Sequence, residues 1–156
     1  MPILTELREF LDKTGVHYEV LAHRQAFTAQ EVAEAQHVKG RDVAKVVILR
    51  SGGDFMMAVL PAPFRVDLDR ARSAVGKSDL TLATEQEFAG LFPHCEAGAM
   101  PPFGNLYNLP VYVDQTLTRD EHIVFNAGTH TQTVKMKYAD FARLAQPQVV
   151  SIAAAA

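Results

Sequence analysis

The run Val43-Ala44-Lys45-Val46-Val47-Ile48-Leu49 sets one ammonium among six apolar side chains, most of them β-branched. Such a run reads as a strand buried on at least one face, and a cation there has given up much of its water. Two readings account for it. Lys45 lies on an edge strand with its stem on the sheet and its head in solvent, or it lines a pocket where a phosphate or a polarised carbonyl must sit. The second is favoured by a peculiarity downstream, the loop Gly98-Ala99-Met100-Pro101-Pro102-Phe103-Gly104. Its prolines carry no donor, whereas Gly98, Ala99 and Met100 keep theirs. Three successive amides on a proline-stiffened turn can face a carbonyl oxygen or a phosphate, as an oxyanion hole does. The same loop is also readable as a structural turn and nothing more.

Other reactive residues are less telling. His130 follows Asn126-Ala127-Gly128-Thr129 in a turn between two strands. It reads equally as a hydrogen-bond partner for a substrate amino group or hydroxyl and as a solvated turn residue. Cys95 is the single cysteine, so no internal disulfide forms, and a reducing compartment fits. Its neighbours His94 and Glu96 are adjacent in sequence and do not point at one site with it, so a plain thiol is expected. The six histidines, His17, His23, His37, His94, His122 and His130, show none of the close pairings of zinc enzymes. No metal and no cofactor is expected. Phosphate-loop, dinucleotide-fingerprint and serine-elbow motifs are absent.

The 156 residues, 48% hydrophobic and 21% charged, describe one globular domain over 1–156, with no repeat, linker or composition break. The start of the chain has no signal-peptide pattern and no stretch long enough to span a bilayer, which places the protein in the cytoplasm, away from membranes. A net charge of −3 argues against broad binding to DNA or other nucleic acid. Between Lys39 and Lys77, however, eight bases face four acids. A phosphate-facing surface would be confined there, with Arg70 and Arg72 as candidate contacts, unless these are only solvated faces.

The elements that must position these residues follow from periodicity. Ile3, Leu4, Leu7, Phe10 and Leu11 have helical spacing closed by Gly15. A strand covers 17–21, and Thr28 with Glu31 opens a capped helix ending near Gly40. Strands over 43–49 and 55–60 flank the hairpin turn Ser51-Gly52-Gly53-Asp54, and Pro61-Ala62-Pro63 ends the second. Asp67 caps a helix through Val75, and a capping box at Thr84 and Glu87 opens one through Leu91. Strands over 111–114, 122–126 and 131–137, a helix over 138–144 and a strand over 149–152 complete the chain, with Ala153–Ala156 expected to fray. The sum is an α+β fold, a mixed, mostly antiparallel sheet curling towards a barrel with helices packed around it.

Phe27-Thr28-Ala29-Gln30-Glu31, Ala44-Lys45-Val46-Val47, Gly98-x-x-x-Pro102 and Phe125-Asn126-Ala127-Gly128 occur in an order that resembles the prolyl-tRNA-synthetase-associated editing domains. That family includes freestanding, YbaK-like deacylases of mischarged tRNA, and the similarity runs from Tyr18 to about Phe141. The resemblance implies hydrolysis of the ester joining a wrong amino acid to the 3′ acceptor end of a tRNA, the partner it calls for. In it Lys45 is the residue most tied to activity, and Gly98, with Ala99 and Met100, sets backbone amides near the ester carbonyl. Tyr18, Phe27, Pro102, Asn126, Gly128 and His130 fall at its substrate-contacting positions. Several members carry serine in place of Asn126 and an acid in place of Thr133, which leaves the amino acid open among alanine, cysteine, serine and threonine. The rival readings are a nucleotide or aminoacyl-tRNA binding module without catalysis, a metal-dependent hydrolase using the histidines, and an interaction partner of an aminoacyl-tRNA synthetase.

Overall fold

The structure is a computed structural model that describes residues 4–22 and 42–155. Phe27 and the expected capped helix from Thr28 to Gly40 lie outside the described residues, as do His23, His37, Lys39 and Arg41. Helix α1 (Thr5–Thr14) buries Leu7 and Leu11 and stops at Gly15, whose φ of 75° is the left-handed cap the glycine supplies. Strand β1 (Tyr18–Ala22) follows.

The buried run forms β2 (Ala44–Ser51), turning through Gly52-Gly53 into β3 (Asp54–Pro61) in antiparallel register from Ala44↔Pro61 to Ser51↔Asp54. A short β4 (Phe64–Val66) leads into helix α2 (Leu68–Val75), whose N-terminus is capped by the Asp67 carboxylate accepting from the Arg70 amide. Strand β5 (Thr81–Leu82) precedes helix α3 (Glu85–Phe88), where Thr84 and Glu87 form the expected capping box. The expected helix to Leu91 shortens to this one turn and continues as a 3-10 segment, Ala89–Leu91. Beyond the proline loop come β6 (Val111–Asp114), β7 (His122–Asn126), β8 (Gln132–Lys137), helix α4 (Tyr138–Ala145), β9 (Gln148–Val150) and β10 (Ala153–Ala155).

The strands divide into a five-stranded sheet ordered β5-β2-β3-β6-β9, a three-stranded sheet β1-β8-β7, and the pair β10-β4. All pairings are antiparallel except β3 with β6 and β6 with β9, so the mixed, mostly antiparallel α+β architecture stands. One parallel bridge, Val43 to Val124, joins the two larger sheets. Along β2 the even-numbered Ala44, Val46 and Ile48 enter the main core with Met100, Phe103 and Phe125. Val47 and Leu49 face α2 across the second core, beside Ala71 and Leu80.

The alanine tail does not fray over Ala153–Ala155. Ala153 to Ala155 pair with Val66 to Phe64, and the buried Asp114 carboxylate accepts from the amides of Ile152 and Ala153 as well as from the Thr116 amide and hydroxyl. Low side-chain content signalled disorder, but backbone donors held by one carboxylate decide the outcome. Burial alone would raise the Asp114 pKa, yet these hydrogen bonds together hold it below the usual carboxylate value. A depressed carboxylate stabilises the fold above its unfolded pKa and loses that contribution as pH falls through its folded pKa. Asp114→Ala should therefore cost roughly 3 kcal/mol or more at neutral pH through orphaned donors. Urea titrations should also show wild-type stability declining below about pH 4, a decline that Asp114→Asn flattens.

Candidate active site

The loop's anchor is its aromatic end. Phe103 is fully buried, with ring centroids 5.6 Å from Phe10, 5.7 Å from Phe125 and 5.4 Å from Phe141, all edge-on. Pro101 and Pro102 are buried beside it. Gly104 is required by close approach, since a Cβ there would lie 2.5 Å from the Leu109 carbonyl oxygen.

At its other end the loop is cross-braced to the β7–β8 turn by four hydrogen bonds. The Glu96 amide donates to the Gly128 carbonyl at 2.8 Å, and the Gly128 amide donates to the Ala99 carbonyl at 2.9 Å. The His130 amide donates to the Glu96 carboxylate at 3.2 Å, and His130 Nε2 lies 2.7 Å from the Ala97 carbonyl oxygen. Since that oxygen can only accept, Nε2 carries the proton. His130 is 5% exposed. The solvated-turn reading fails, and the side chain positions the loop. Gly98 sits at the centre of the brace with φ 81°, where an added Cβ would be 3.7 Å from His130 Cε1.

The brace revises the three-amide expectation. The Ala99 amide is spent on the Glu96 carbonyl at 3.0 Å, closing a turn. The Gly98 and Met100 amides meet no acceptor among the described residues, so two donors remain.

Lys45 approaches this group through the strand register. The Val43–Val124 bridge is parallel, so two residues further on Lys45 and Asn126 occupy equivalent positions on the same side of their strands, where the two sheets part. Asn126 pairs with Thr133 across β7 and β8, and Thr133 is fully buried. Asn126 Oδ1 is buried and has no donor among the described residues. Lys45 is half-buried, its Nζ donates to the Ala62 carbonyl at 3.2 Å, and burial lowers its pKa. Its hydrogen bonding does not reach the Gly98 loop. The ammonium also lines a groove of about 600 Å³ with Val47, Arg65, Asp69 and Arg72. Strand β5 pairs with β2 only at Leu49 and Arg50, so at Lys45 the strand has β3 on one side and no ladder partner on the other among the described residues. It is locally an edge, with the head half-buried against the Ala62 carbonyl and not in bulk solvent.

Tyr18 is not brought into this group. It pairs with Met136 at the far end of the three-stranded sheet, whereas Asn126 faces Thr133, which pairs with Leu21. Three residues of strand, about 10 Å, separate the two ends. The Tyr18 hydroxyl donates instead to the Asp12 carboxylate at 2.6 Å. Cys95 Sγ lies 3.4 Å from the Tyr107 hydroxyl, and burial pushes its thiol pKa up, with the Tyr107 hydrogen bond opposing. A thiol held protonated is a poor nucleophile. Among the described residues no three His, Cys, Asp or Glu side chains gather as metal ligands. Sequence reasoning missed Glu96, whose partner His130 is 34 residues away, and Arg65, which no motif marks.

Comparison with known proteins decides the family. Residues 23–144 match the model of the aminoacyl-tRNA editing domain. The chain belongs to the aminoacyl-tRNA editing domain family. It is similar to the multifunctional Ser/Thr-tRNA deacylase ProXp-y of Escherichia coli strain K12, 30% identical over 146 residues that span 90% of this chain and 87% of that one. Among solved structures, a candidate trans-editing enzyme for prolyl-tRNA synthetase superposes with a TM-score of 0.82 at 24% identity, covering 94% of this chain and 93% of that one. A hypothetical protein superposes with a TM-score of 0.86 at 18% identity, covering 96% and 99%. Both likenesses speak for the editing-domain fold. No helix among the described residues is long and apolar enough to cross a membrane.

The editing-domain loop makes a graded demand on its glycines. Gly98→Ala should cost about 1–2 kcal/mol through its left-handed backbone alone. Gly128→Ala should cost more, because φ is 95° and a Cβ would stand 2.9 Å from Leu4 Cβ. Gly104→Ala, which meets backbone, should cost most. Urea midpoints of the three variants check this order, and a larger loss at Gly98 than at Gly104 would refute it.

Proposed function

We propose that this chain is a trans-editing deacylase that hydrolyses the ester between a small non-cognate amino acid and the 3′ end of a tRNA. Serine and threonine are the first candidates, since the E. coli relative is named for them; alanine and cysteine follow, and tRNA-Pro or a related tRNA is the carrier. Family membership supports the reaction class. The observation that carries the reading is the cross-braced loop, a turn whose Gly98 and Met100 amides meet no acceptor among the described residues and adjoin the strand end bearing Asn126.

The chemistry follows from what the residues offer. Cys95 is engaged and protonated, and no activated nucleophile stands among the described residues, so water attacks the ester carbonyl, oriented by the substrate's own terminal ribose hydroxyl. Attack forms a tetrahedral oxyanion stabilised by loop amides, the fixed donors that acyl-transfer sites use. Collapse breaks the acyl–oxygen bond, the ribose oxygen recovers a proton, and amino acid and tRNA leave. His130 acts through position, holding the Ala97 carbonyl so that Gly98 keeps its φ. Lys45, turned towards the groove, neutralises the phosphate next to the ester and so fixes the reacting end. Its lowered pKa reflects an ammonium short of water, for which a phosphate supplies the missing partner.

Two measurements test this. A panel of tRNAs mischarged with alanine, cysteine, serine and threonine should be deacylated by the wild type. Lys45→Ala should fold normally while losing about 10²–10³ in rate, the scale of one lost electrostatic contact at a reacting centre. No turnover on any panel member would leave a binding module, and full activity in Lys45→Ala would remove the mechanism.

Selectivity is assigned to Asn126. A buried oxygen without a donor costs about 1–3 kcal/mol, which a hydroxyl or ammonium of the aminoacyl group offsets. Asn126→Ala should therefore narrow the kcat/KM preference for seryl over alanyl ester by roughly tenfold, within the range set by one unpaired polar group. Equal losses on both esters would assign the contact to the common α-ammonium instead.

A further inference from the structure

We propose that the groove between β2 and α2 is a seat for the phosphodiester backbone of a single-stranded polyribonucleotide end, with Lys45 as its inner contact and Arg65 as its outer one. This rests on the proposed deacylase reading, which brings such an end to Lys45, but names a surface and a residue that the reading does not require. The groove has a volume of about 600 Å³ and is lined by Lys45, Arg65 and Arg72 against Asp67 and Asp69, over an apolar floor that includes Val47, Val66 and Leu82.

The formal charges nearly balance, and the decisive matter is which of them are already engaged. Asp67 is used as the α2 cap, accepting from the Arg70 amide and lying 3.7 Å from the Arg70 guanidinium. Asp69 is paired with Arg72 at 3.1 Å, and the Arg72 guanidinium also donates to the Leu80 carbonyl at 3.0 Å. Arg70 is held by the Ala153 carbonyl at 2.9 Å. The Arg65 side chain is exposed on β4 and makes no hydrogen bond or ion pair among the described residues. Among the described residues the two lining cations without a carboxylate partner are therefore Lys45 and Arg65. Arg70 and Arg72, the candidate phosphate contacts of the sequence reading, are already engaged around helix α2, which leaves Lys45 and Arg65 as the cations the proposal uses.

An anionic chain fits this surface better than a single small anion. The volume exceeds what one phosphate needs, and an apolar floor beside guanidinium suits sugar faces and bases, as single-strand sites do. A single strand suits this surface better than a duplex because its unpaired bases are free to lie on the apolar floor.

The test uses the whole chain and a fluorescent single-stranded oligoribonucleotide ending in ACCA, with Kd measured across a salt series. Arg65→Ala should bind about fivefold more weakly and lose about 0.7 from the slope of log K against log salt, the single-strand value for one phosphate contact. Arg143→Ala removes an equal charge from α4, where Arg143 is paired with Asp140, and should leave both quantities unchanged. Wild-type affinity and slope in Arg65→Ala, equal losses in the two variants, or no binding by the wild type would each overturn the groove. The outcomes separate from those of the deacylase reading. Ester hydrolysis with an Arg65-independent slope sinks the groove and spares the activity, whereas an Arg65-dependent slope without hydrolysis of any mischarged tRNA does the reverse.

Discussion

The arrangement depends on the four hydrogen bonds that lock residues 96–99 to residues 128–130. Glycine at 98 in the left-handed region is not held by any packing of its own; it is held because its neighbours on both sides are tied to one turn. The Ala97 carbonyl meets His130 Nε2, the Glu96 side chain meets the His130 amide, and Gly128 receives and donates across the gap. Each bond has a modest net value of about 1 kcal/mol, yet together they remove the freedom that would let the loop's free amides turn to water. Preorganised donors are valuable in catalysis because they need no reorientation when charge develops.

The brace places the loop, and the sheets place everything else relative to it. Among the described residues the Val43–Val124 bridge is the single ladder contact between the larger sheets. Beyond it β2 and β7 form no further ladder pair among the described residues, and the first residues past the bridge on the shared side are Lys45 and Asn126. A parting between two sheets gives polar side chains room and partial desolvation together, which a continuous sheet does not. This explains why an ammonium is tolerated in an apolar run. The strand is buried as a hydrophobic element at Ala44, Ile48 and Leu49, while at Lys45 it borders a groove and has the Ala62 carbonyl as acceptor.

Much of the fold was legible because local rules and tertiary packing agree. The Gly52-Gly53 hairpin, the Asp67 cap, the Thr84 capping box and the Gly15 stop stand as read. The short strands β4, β5 and β10 were not legible, since each exists through a distant partner; β10 is a run of alanines until Val66, Arg65 and Phe64 pair with it. The site divides along the same line. Lys45 and the proline loop stand out by composition against neighbours. The role of Glu96 depends on a contact 34 residues away, and Tyr18, drawn in by resemblance, is engaged by Asp12 at the opposite end of its sheet. Six histidines carried no information individually, and His130 differs from a solvated turn residue in its burial and in its bonds to Ala97 and Glu96, none of which a local sequence pattern shows.

A site of this make-up has a consequence for selectivity. Where a nucleophilic side chain does the chemistry, a poorly seated substrate can still react, because the nucleophile is supplied by the protein. In the proposed mechanism the attacking water and the ribose hydroxyl that orients it arrive with the substrate, and the protein contributes only fixed dipoles and charge. An acyl group that sits wrongly loses both alignment and the amides' stabilisation at once. The discrimination that a pocket achieves by size is about 1–3 kcal/mol per methylene, which does not separate proline from its smaller mimics by a wide margin. Coupling seating to the assembly of the reacting geometry raises that margin without a larger pocket. The rigidity of the loop between Phe103 and His130 is the structural condition for it, because a loop that adapted to each acyl group would forgive the misfit.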